Sequence, residues 1–308
     1  MKLFKPNFWQ NKIGFYSILL FPITFVFSIL IYLRKFFYFQ KEFNVPIICV
    51  GNIYIGGTGK TPLSILIANH LRPLKKAAIV KKYYTNHKDE HNLINSKSDC
   101  LILNRIRSKG IEEAIKKKFD FIILDDGFQD YSIKKNLNII CFNSNQLIGN
   151  GMIFPSGPLR NSMRSLKDAQ IVVVNGSKNL EFEKKLNTFS KKTKIYYSKY
   201  LPVNLEQFKN KKLLAFAGIG NNENFFKILK DSNLDVRNQI NFPDHYEYDK
   251  DELKKIINTS KKDGHEIITT EKDYFRIKEF GLKEIKYLKV KLEIVEKEKF
   301  LSHVKNYL

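Results

Sequence analysis

A glycine-rich segment ending in Lys-Thr, placed between an apolar run and a helical pattern, constrains the fold of this chain most. Residues 45–50 (VPIICV) predict a buried strand, and residues 62–71 (PLSILIANHL) predict a helix with proline in its first turn. Residues 56–61 (GGTGKT) stand at the strand-to-helix junction. Strand, glycine-rich turn, GKT and helix together make a P-loop. The sequence therefore predicts an α/β fold with a P-loop NTPase-like core and a mostly parallel sheet.

The residue types of this loop suit a nucleotide triphosphate held with a metal ion. Glycines let backbone N–H groups turn toward phosphates, and the helix N-terminus adds positive potential. Lys60 is expected to reach the β- and γ-phosphates, and the Thr61 hydroxyl to bind Mg²⁺. We predict ATP and Mg²⁺ as cofactors. The predicted nucleotide contacts are Tyr54, Ile55, Gly56, Gly57, Thr58, Gly59, Lys60 and Thr61, with Tyr54 standing where a small residue is usual.

Two aspartates follow a second apolar run. Residues 119–124 (FDFIIL) predict a strand that ends at Asp125-Asp126. A carboxylate at the end of a strand downstream of a P-loop is the expected second contact to Mg²⁺. Asp125 is the first choice as metal ligand. Asp126 is a further candidate that could instead hold a water or position the loop after it.

The N-terminal region carries a long apolar segment. Residues 14–33 (GFYSILLFPITFVFSILIYL) contain no charged residue and have about the length needed to cross a bilayer core. No small-residue cleavage site follows, which argues against a signal peptide. Basic residues flank both ends, so the charges give no orientation, and that balance also fits an in-plane or re-entrant anchor. We predict an N-terminal membrane-associated helix, with a full span slightly favoured.

The net charge leaves several partners open. The chain has 53 Lys and Arg against 31 Asp and Glu, a formal charge of +22. Nucleic acid, an anionic membrane surface and phosphorylated substrates would each suit this excess, and so would compositional drift, because the lysines are spread along the chain. No aromatic-interleaved basic stripe or known binding module is present, so we predict no nucleic-acid partner. Cys49, Cys100 and Cys141 lack paired or metal-like spacing, which suits a reducing cytosol.

Strand and helix patterns alternate in the second half, which favours further parallel sheet covered by helices. The predicted strands are residues 171–175, 212–217, 266–270 and 287–295, and the predicted helices are residues 224–229, 251–257 and 296–308. We divide the chain into a membrane-associating helix (1–40), a P-loop kinase core domain (41–185) and a smaller α/β domain closing over the active-site cleft (186–308).

Five segments in order carry a family resemblance: VGNIYIGGTGKTPL (50–63), FIILDDGFQD (121–130), GNGMIFPSGPLR (149–160), FPDHYEY (242–248) and IITTEKDYFRI (267–277). Together they resemble tetraacyldisaccharide 4′-kinase, the lipid A kinase of Gram-negative bacteria. The resemblance implies that ATP phosphorylates the 4′-hydroxyl of an acylated glucosamine disaccharide 1-phosphate, giving lipid IVA. It also implies two α/β domains with catalysis in the cleft between them, at the cytoplasmic face of the inner membrane.

The resemblance also implies roles for particular residues. Asp89, in Lys88-Asp89-Glu90, matches the family's base, and Glu90 is a further metal candidate. His245 matches the histidine expected to pair with that aspartate. Arg160 matches the arginine of the family's GPLR run, a cation for the transferring phosphate, and it completes the predicted catalytic set with Lys60. The residues alone also permit an exposed loop at Asp89, a turn at His245 and a surface position for Arg160.

The chain departs from the family pattern in four respects. Residues 80–84 read Val-Lys-Lys-Tyr-Tyr where the family has Ser-Arg-Gly-Tyr-Gly. Lys88 replaces a glycine, and Asp130 replaces the histidine that usually closes DDGFQH. The segment between residues 80 and 100 is also short.

Two functional alternatives come from other classes of protein. A membrane-associated P-loop regulatory NTPase would hydrolyse nucleotide without a lipid acceptor. Residues 270–273 (TEKD) superficially resemble a guanine-reading element, but they are out of register with it. A basic, membrane-tethered nucleic-acid binder is the non-enzymatic alternative, and steep salt dependence on DNA would reveal it.

Overall fold

The computed structural model describes residues 5–85 and 88–308, which divide into two compact units. The P-loop unit comprises Lys5–Tyr83, Ser98–Lys199 and Leu292–Leu308. The second unit comprises the described part of Tyr84–Lys97 together with Tyr200–Lys291. The domain boundaries drawn from the sequence at residues 40 and 185 stay a prediction.

Helices and strands alternate through both units. The strands are β1 Ile47–Gly51, β2 Ala77–Lys82, β3 Leu101–Asn104, β4 Phe121–Asp125, β5 Leu137–Asn143, β6 Ile171–Asn175, β7 Lys194–Pro202, β8 Lys212–Ala217, β9 Asp235–Asn241, β10 Glu266–Thr270, β11 Ile285–Leu288 and β12 Val290–Ile294. The helices are α1 Phe15–Leu19, α2 Phe21–Phe37, α3 Lys60–Leu71, α4 Lys88–Lys97, α5 Arg107–Lys116, α6 Leu180–Phe189, α7 Asn222–Asp231, α8 Lys250–Lys262, α9 Glu271–Ile277 and α10 Lys297–Lys305. Short 3-10 turns cover Asn7–Trp9, Met163–Asp168, Leu205–Gln207 and Lys278–Phe280.

The large sheet has the strand order β12-β7-β6-β5-β1-β4-β2-β3, and its central strands pair in parallel. Val50 of β1 is in register with Asp125 of β4. Because parallel strands end at the same edge, the glycine-rich loop after β1 lies beside the two aspartates at the end of β4. The expectation of an α/β fold with a mostly parallel sheet is confirmed.

The centre of this sheet is apolar on both faces. Ile47, Ile48, Cys49 and Val50 are all at most 1% exposed, as expected for a parallel strand covered by helices on both sides. Burying one such aliphatic side chain contributes about 1.5–3 kcal/mol. The loop that follows β1 is therefore anchored to the most deeply buried part of the P-loop unit.

The second unit is built on the parallel sheet β11-β10-β8-β9. Successive side chains of a strand point to opposite faces, and β8 shows this alternation directly. Leu213 and Ala215 belong to one apolar cluster, whereas Leu214 and Phe216 belong to another. One prediction fails here: the single strand expected over 287–295 is two strands, β11 and β12, which lie in different sheets.

The apolar N-terminal segment forms two helices rather than one. The chain turns at Leu20, between α1 and α2. Within the described residues, neither these helices nor any other combine the length and the apolar character that crossing a bilayer needs, so the slightly favoured full span is not found. Large apolar side chains on these helices face outward, with Phe15 and Phe36 both 74% exposed.

Polar contacts fix this N-terminal segment to the loop before Arg160. Thr24 of α2 is buried, donates from Oγ1 to Ser156 Oγ at 2.8 Å and accepts from the Ser156 backbone N–H at 3.0 Å. Trp9 Nε1 donates to Pro155 O at 3.0 Å, and the Asn150 backbone N–H donates to Trp9 O at 2.7 Å. The segment is therefore an integral part of the P-loop unit.

We predict that Thr24→Val destabilises the P-loop unit by about 1–3 kcal/mol, because it leaves buried polar groups of Ser156 without their partner. The measurement is urea unfolding in detergent, followed by fluorescence of Trp9, the one tryptophan of the chain. Ser28→Ala on the same helix is the matched control, because the Ser28 hydroxyl donates to the carbonyl of Thr24, one turn earlier in the same helix. Equal stability of the two variants would contradict the prediction.

Candidate active site

The P-loop takes the conformation that its glycines allow. Gly56 has φ 123° and Gly59 has φ 90°, values that side-chain-bearing residues rarely adopt. Asn52 braces the turn, because its Nδ2 donates to Gly56 O at 3.2 Å and to Thr58 Oγ1 at 3.0 Å. Helix α3 then begins at Lys60, as the sequence pattern predicts for a phosphate-binding loop.

Tyr54 contributes to the loop in an unexpected way. Its side chain is fully buried in the apolar core, and its hydroxyl accepts a hydrogen bond from Gln10 Nε2. Burial raises the pKa of Tyr54 to about 12, although the bond from Gln10 acts in the opposite direction. Any nucleotide contact from Tyr54 therefore comes from its backbone, and the ring fills the space beneath the loop.

Asp125 lies fully buried at the end of β4, with three polar partners. It accepts from Thr61 Oγ1 at 2.9 Å, from Ser64 Oγ at 3.2 Å and from Lys81 Nζ at 2.5 Å. The predicted metal residues Thr61 and Asp125 are thus brought together. Hydroxyl and carboxylate oxygens are the ligands that Mg²⁺ prefers, and it usually needs few of them besides phosphates and water.

Asp126 is the meeting point of two predicted cations. Arg160 Nη1 lies 3.1 Å from both carboxylate oxygens, and Lys60 Nζ lies 3.7 Å from Oδ1. Burial raises the pKa of Asp126, but Lys60, Arg160 and Lys81 outweigh it and hold that pKa well below its usual range. The backbone of Asp126 has φ 58°, a strained conformation of a kind that concentrates at functional sites.

Arg160 reaches this point because its segment pairs with the loop. The Arg160 backbone N–H donates to Ile53 O at 2.7 Å, and the Ile55 backbone N–H donates to Pro158 O at 2.8 Å. The structure therefore places Arg160 beside the P-loop rather than at an independent surface position. Lys60, Thr61, Asp125, Asp126 and Arg160 form one cluster in the P-loop unit.

Two further cations bond to the aspartates of this cluster and were missed from the sequence. Lys81 is 5% exposed and lies in register with Asp125, because β2 pairs with β4. Arg107 donates to Asp126 O at 2.6 Å and pairs with Asp130, the residue that replaces the family's histidine. Lys81 lies in residues 80–84, where the chain departs from the family's Ser-Arg-Gly-Tyr-Gly run, so the motif comparison drew attention to its position. Its role depends on the strand order, which could not be inferred from the sequence.

The second unit holds the other predicted catalytic pair. Asp89 lies on α4, which packs against α9, and it is 2% exposed rather than part of an exposed loop. Arg276 of α9 donates to Asp89 Oδ2 from Nη2 at 2.6 Å and from Nε at 3.1 Å. His245 Nδ1 lies 3.9 Å from the same oxygen, and His245 has φ 56°. The structure thus brings Asp89 and His245 together, with Arg276, which the sequence did not single out.

Glu90, the remaining metal candidate, pairs with Lys272 Nζ at 2.7 Å in the second unit. Among residues 5–85 and 88–308, no group of three or more His, Cys, Asp and Glu side chains is arranged to hold a metal ion. The assignment of Glu90 to a metal therefore stays a prediction.

The P-loop, the aspartate pair at the end of a parallel strand and the converging cations define a P-loop protein of the phosphotransferase kind. The chain belongs to the tetraacyldisaccharide-1-P 4′-kinase family, whose model matches it in two overlapping segments, residues 16–100 and 85–308. The family expected from the five motifs is therefore confirmed, and so is the expected function as a lipid kinase.

Individual relatives agree with this family. The chain is 39% identical over 303 residues to tetraacyldisaccharide 4′-kinase of Pelagibacter ubique, covering 97% of this chain and 96% of the relative. It is 32% identical to the enzyme of that name from Rickettsia bellii, covering 90% of both chains. The fold matches a crystal structure of LpxK from Aquifex aeolicus, described as an "apo" form in complex with ATP, with TM-score 0.73 and 24% identity over 95% of this chain and 99% of that chain.

We predict that Lys81→Met destabilises the protein by about 3–5 kcal/mol, because it removes an ammonium from a buried carboxylate. Asp125→Asn in the same chain is expected to recover part of this loss, so the two substitutions should not be additive. Urea unfolding of both single variants and the double variant measures the coupling. Lys134→Met, which breaks an exposed pair with Glu42, is the control and should change stability little. Strict additivity at positions 81 and 125 would overturn the predicted pairing.

Proposed function

We propose that this protein transfers the γ-phosphate of ATP to the 4′-hydroxyl of a tetraacylated glucosamine disaccharide 1-phosphate, giving lipid IVA in lipid A biosynthesis. Membership of the kinase family supports this reaction. The observation that carries it is the convergence of Lys60 and Arg160 on Asp126, next to the Thr61–Asp125 contact. A regulatory NTPase without a lipid acceptor is not favoured, because the family is one of lipid kinases.

Phosphoryl transfer depends mainly on positioning and on neutralising charge. The amides of the P-loop and Lys60 would hold the β- and γ-phosphates. Arg160 would add a planar, forked cation to the transferring group. Thr61 and Asp125 would hold Mg²⁺, which supplies further charge neutralisation when bound.

The acceptor needs a group that takes its hydroxyl proton. We assign this role to Asp89, whose carboxylate is buried and oriented by a charged partner in the second unit. His245, beside the same carboxylate, would help to orient it. Glu90 stays a candidate metal contact. A general base of this kind typically contributes 10²–10⁴-fold to the rate.

The substrate is a lipid, and the N-terminal helices provide a surface that suits a membrane. Ile18, Phe25, Leu30 and Phe37 are all more than half exposed along α1 and α2. Apolar side chains exposed on helices with basic neighbours bind in the headgroup region of anionic bilayers. We place the protein at the cytoplasmic face of the inner membrane, held there by these two helices, where a lipid-linked hydroxyl and cytosolic ATP are both available.

We predict that Lys60→Ala and Asp89→Asn separate nucleotide handling from acceptor activation. Lys60→Ala should abolish transfer of labelled phosphate from ATP to the lipid disaccharide in detergent and weaken ATP binding. Asp89→Asn should lower kcat by about 10²–10⁴-fold and leave ATP affinity nearly intact, because the base acts only on the acceptor. Thin-layer chromatography of the labelled lipid gives the rates.

Asp231→Ala, at an exposed helix end, is the control for loss of one carboxylate and should retain activity. Release of free phosphate with no labelled lipid would point to a regulatory NTPase. Turnover of Asp89→Asn at the rate of the unsubstituted protein would remove Asp89 from the mechanism.

A further inference from the structure

One buried oxygen in the second unit has no partner. Asp89 Oδ1 forms no hydrogen bond with any of the residues that the structure describes, although the side chain is only 1% exposed. Its other oxygen, Oδ2, takes both bonds from Arg276. Leaving a buried carboxylate oxygen unsatisfied costs about 1–3 kcal/mol or more. An oxygen in that condition keeps its lone pairs available to accept a proton.

We propose that Arg276 is a positioning residue for the acceptor step. By fixing Oδ2 of Asp89, it leaves Oδ1 as the single oxygen that receives the proton of the acceptor hydroxyl. This inference rests on the proposed role of Asp89 as the base. In that step the hydroxyl oxygen forms a bond to the γ-phosphorus, the bond from that phosphorus to the oxygen bridging to the β-phosphate breaks, ADP leaves and the proton moves to Oδ1.

Arg276 can fix Asp89 because each nitrogen of its own guanidinium group donates a hydrogen bond. Nε and Nη2 bond to Asp89, whereas Nη1 donates to Gly218 O at 2.6 Å and to Asp273 Oδ1 at 2.8 Å. The side chain is 12% exposed. A planar fork with each nitrogen engaged has one orientation, and it transmits that orientation to the carboxylate.

Asp273 is in turn fixed at the start of α9. It accepts from Thr270 Oγ1 at 2.6 Å, from Tyr248 Oη at 2.9 Å and from the Gly218 backbone N–H at 3.1 Å. Thr270 caps the helix by accepting from the Asp273 backbone N–H. Burial raises the pKa of the Tyr248 hydroxyl, and the neighbouring Asp273 raises it further, so Tyr248 remains a donor. The motif residues 267–277 thus form a support that ends at Asp89.

The contribution of His245 in this geometry is less direct than that of Arg276. Its Nδ1 is 3.9 Å from Asp89 Oδ2, beyond hydrogen-bond distance, and 3.4 Å from Arg276 Nη2. The His245 backbone N–H donates to Gly218 O at 3.1 Å, the carbonyl that also receives Arg276 Nη1. The histidine and the arginine share one anchor, but the direct bonds to the base come from Arg276.

We predict that Arg276→Ala lowers kcat for lipid phosphorylation by about 10²-fold, the usual effect of misplacing a reacting group by about 1 Å. The KM for ATP should stay unchanged, because the loss affects only the acceptor side. Added guanidinium ion should restore part of the rate of Arg276→Ala. Arg276→Lys should be slower than the unsubstituted protein, since an ammonium cannot make the forked contact. The exposed Arg237→Ala is the matched control and should retain full kcat.

The double variant Asp89→Asn/Arg276→Ala separates this inference from the proposed function. It should be no slower than Asp89→Asn alone, because Arg276 acts through Asp89. Full activity of Asp89→Asn would overturn the proposed base. A slow Asp89→Asn beside a fully active Arg276→Ala would overturn the positioning role alone. The positioning role would also be overturned if both Arg276→Ala and Arg276→Lys lost ATP binding and guanidinium ion did not restore the rate. That result would indicate that Arg276 has a structural role.

Discussion

Two neighbouring carboxylates at the end of β4 set the condition that the rest of the P-loop unit satisfies. Asp125 is fully buried and Asp126 partly so, and negative charges in such surroundings are tolerated only when cations and donors compensate them. The compensation comes from several distant parts of the chain: Lys81 from β2, Lys60 from α3 and Arg160 from the loop that pairs with the P-loop. The parallel sheet brings these parts to one edge.

The second unit also compensates buried carboxylates, but with a different arrangement of partners. Asp89 and Asp273 are both buried and share one arginine, Arg276. Burial raises the pKa of Asp273, while Arg276 and several donors act against that rise. The difference lies in the outcome for each carboxylate. Asp273 has both oxygens bonded, whereas Asp89 Oδ1 has no partner among the residues that the structure describes, which suits the base that we propose.

The parts of the site that local pattern determines were predictable from the sequence. The loop at residues 56–61, its helix and the strand ending at Asp125 follow from glycine content, periodicity and spacing. Lys81 and Arg276 were not predictable in the same way, because their roles depend on strand order and on the packing of α4 against α9. Tyr54 shows the same limit. It stands where a small residue is usual, and the Gln10 side chain that bonds its hydroxyl is far away in the sequence.

The contacts of Thr24 and Trp9 with the loop at residues 150–156 bear on how such a protein is handled. An anchor joined by a flexible linker can be cut away to give a tractable catalytic fragment. Here the same cut would remove hydrogen-bond partners from Ser156 and Asn150, and the Gln10 side chain that bonds the Tyr54 hydroxyl. Ser156 and Tyr54 lie only a few positions from Arg160 and from the P-loop, respectively. Replacing the outward phenylalanines and isoleucines of α1 and α2 by polar side chains keeps these contacts, whereas truncation removes them.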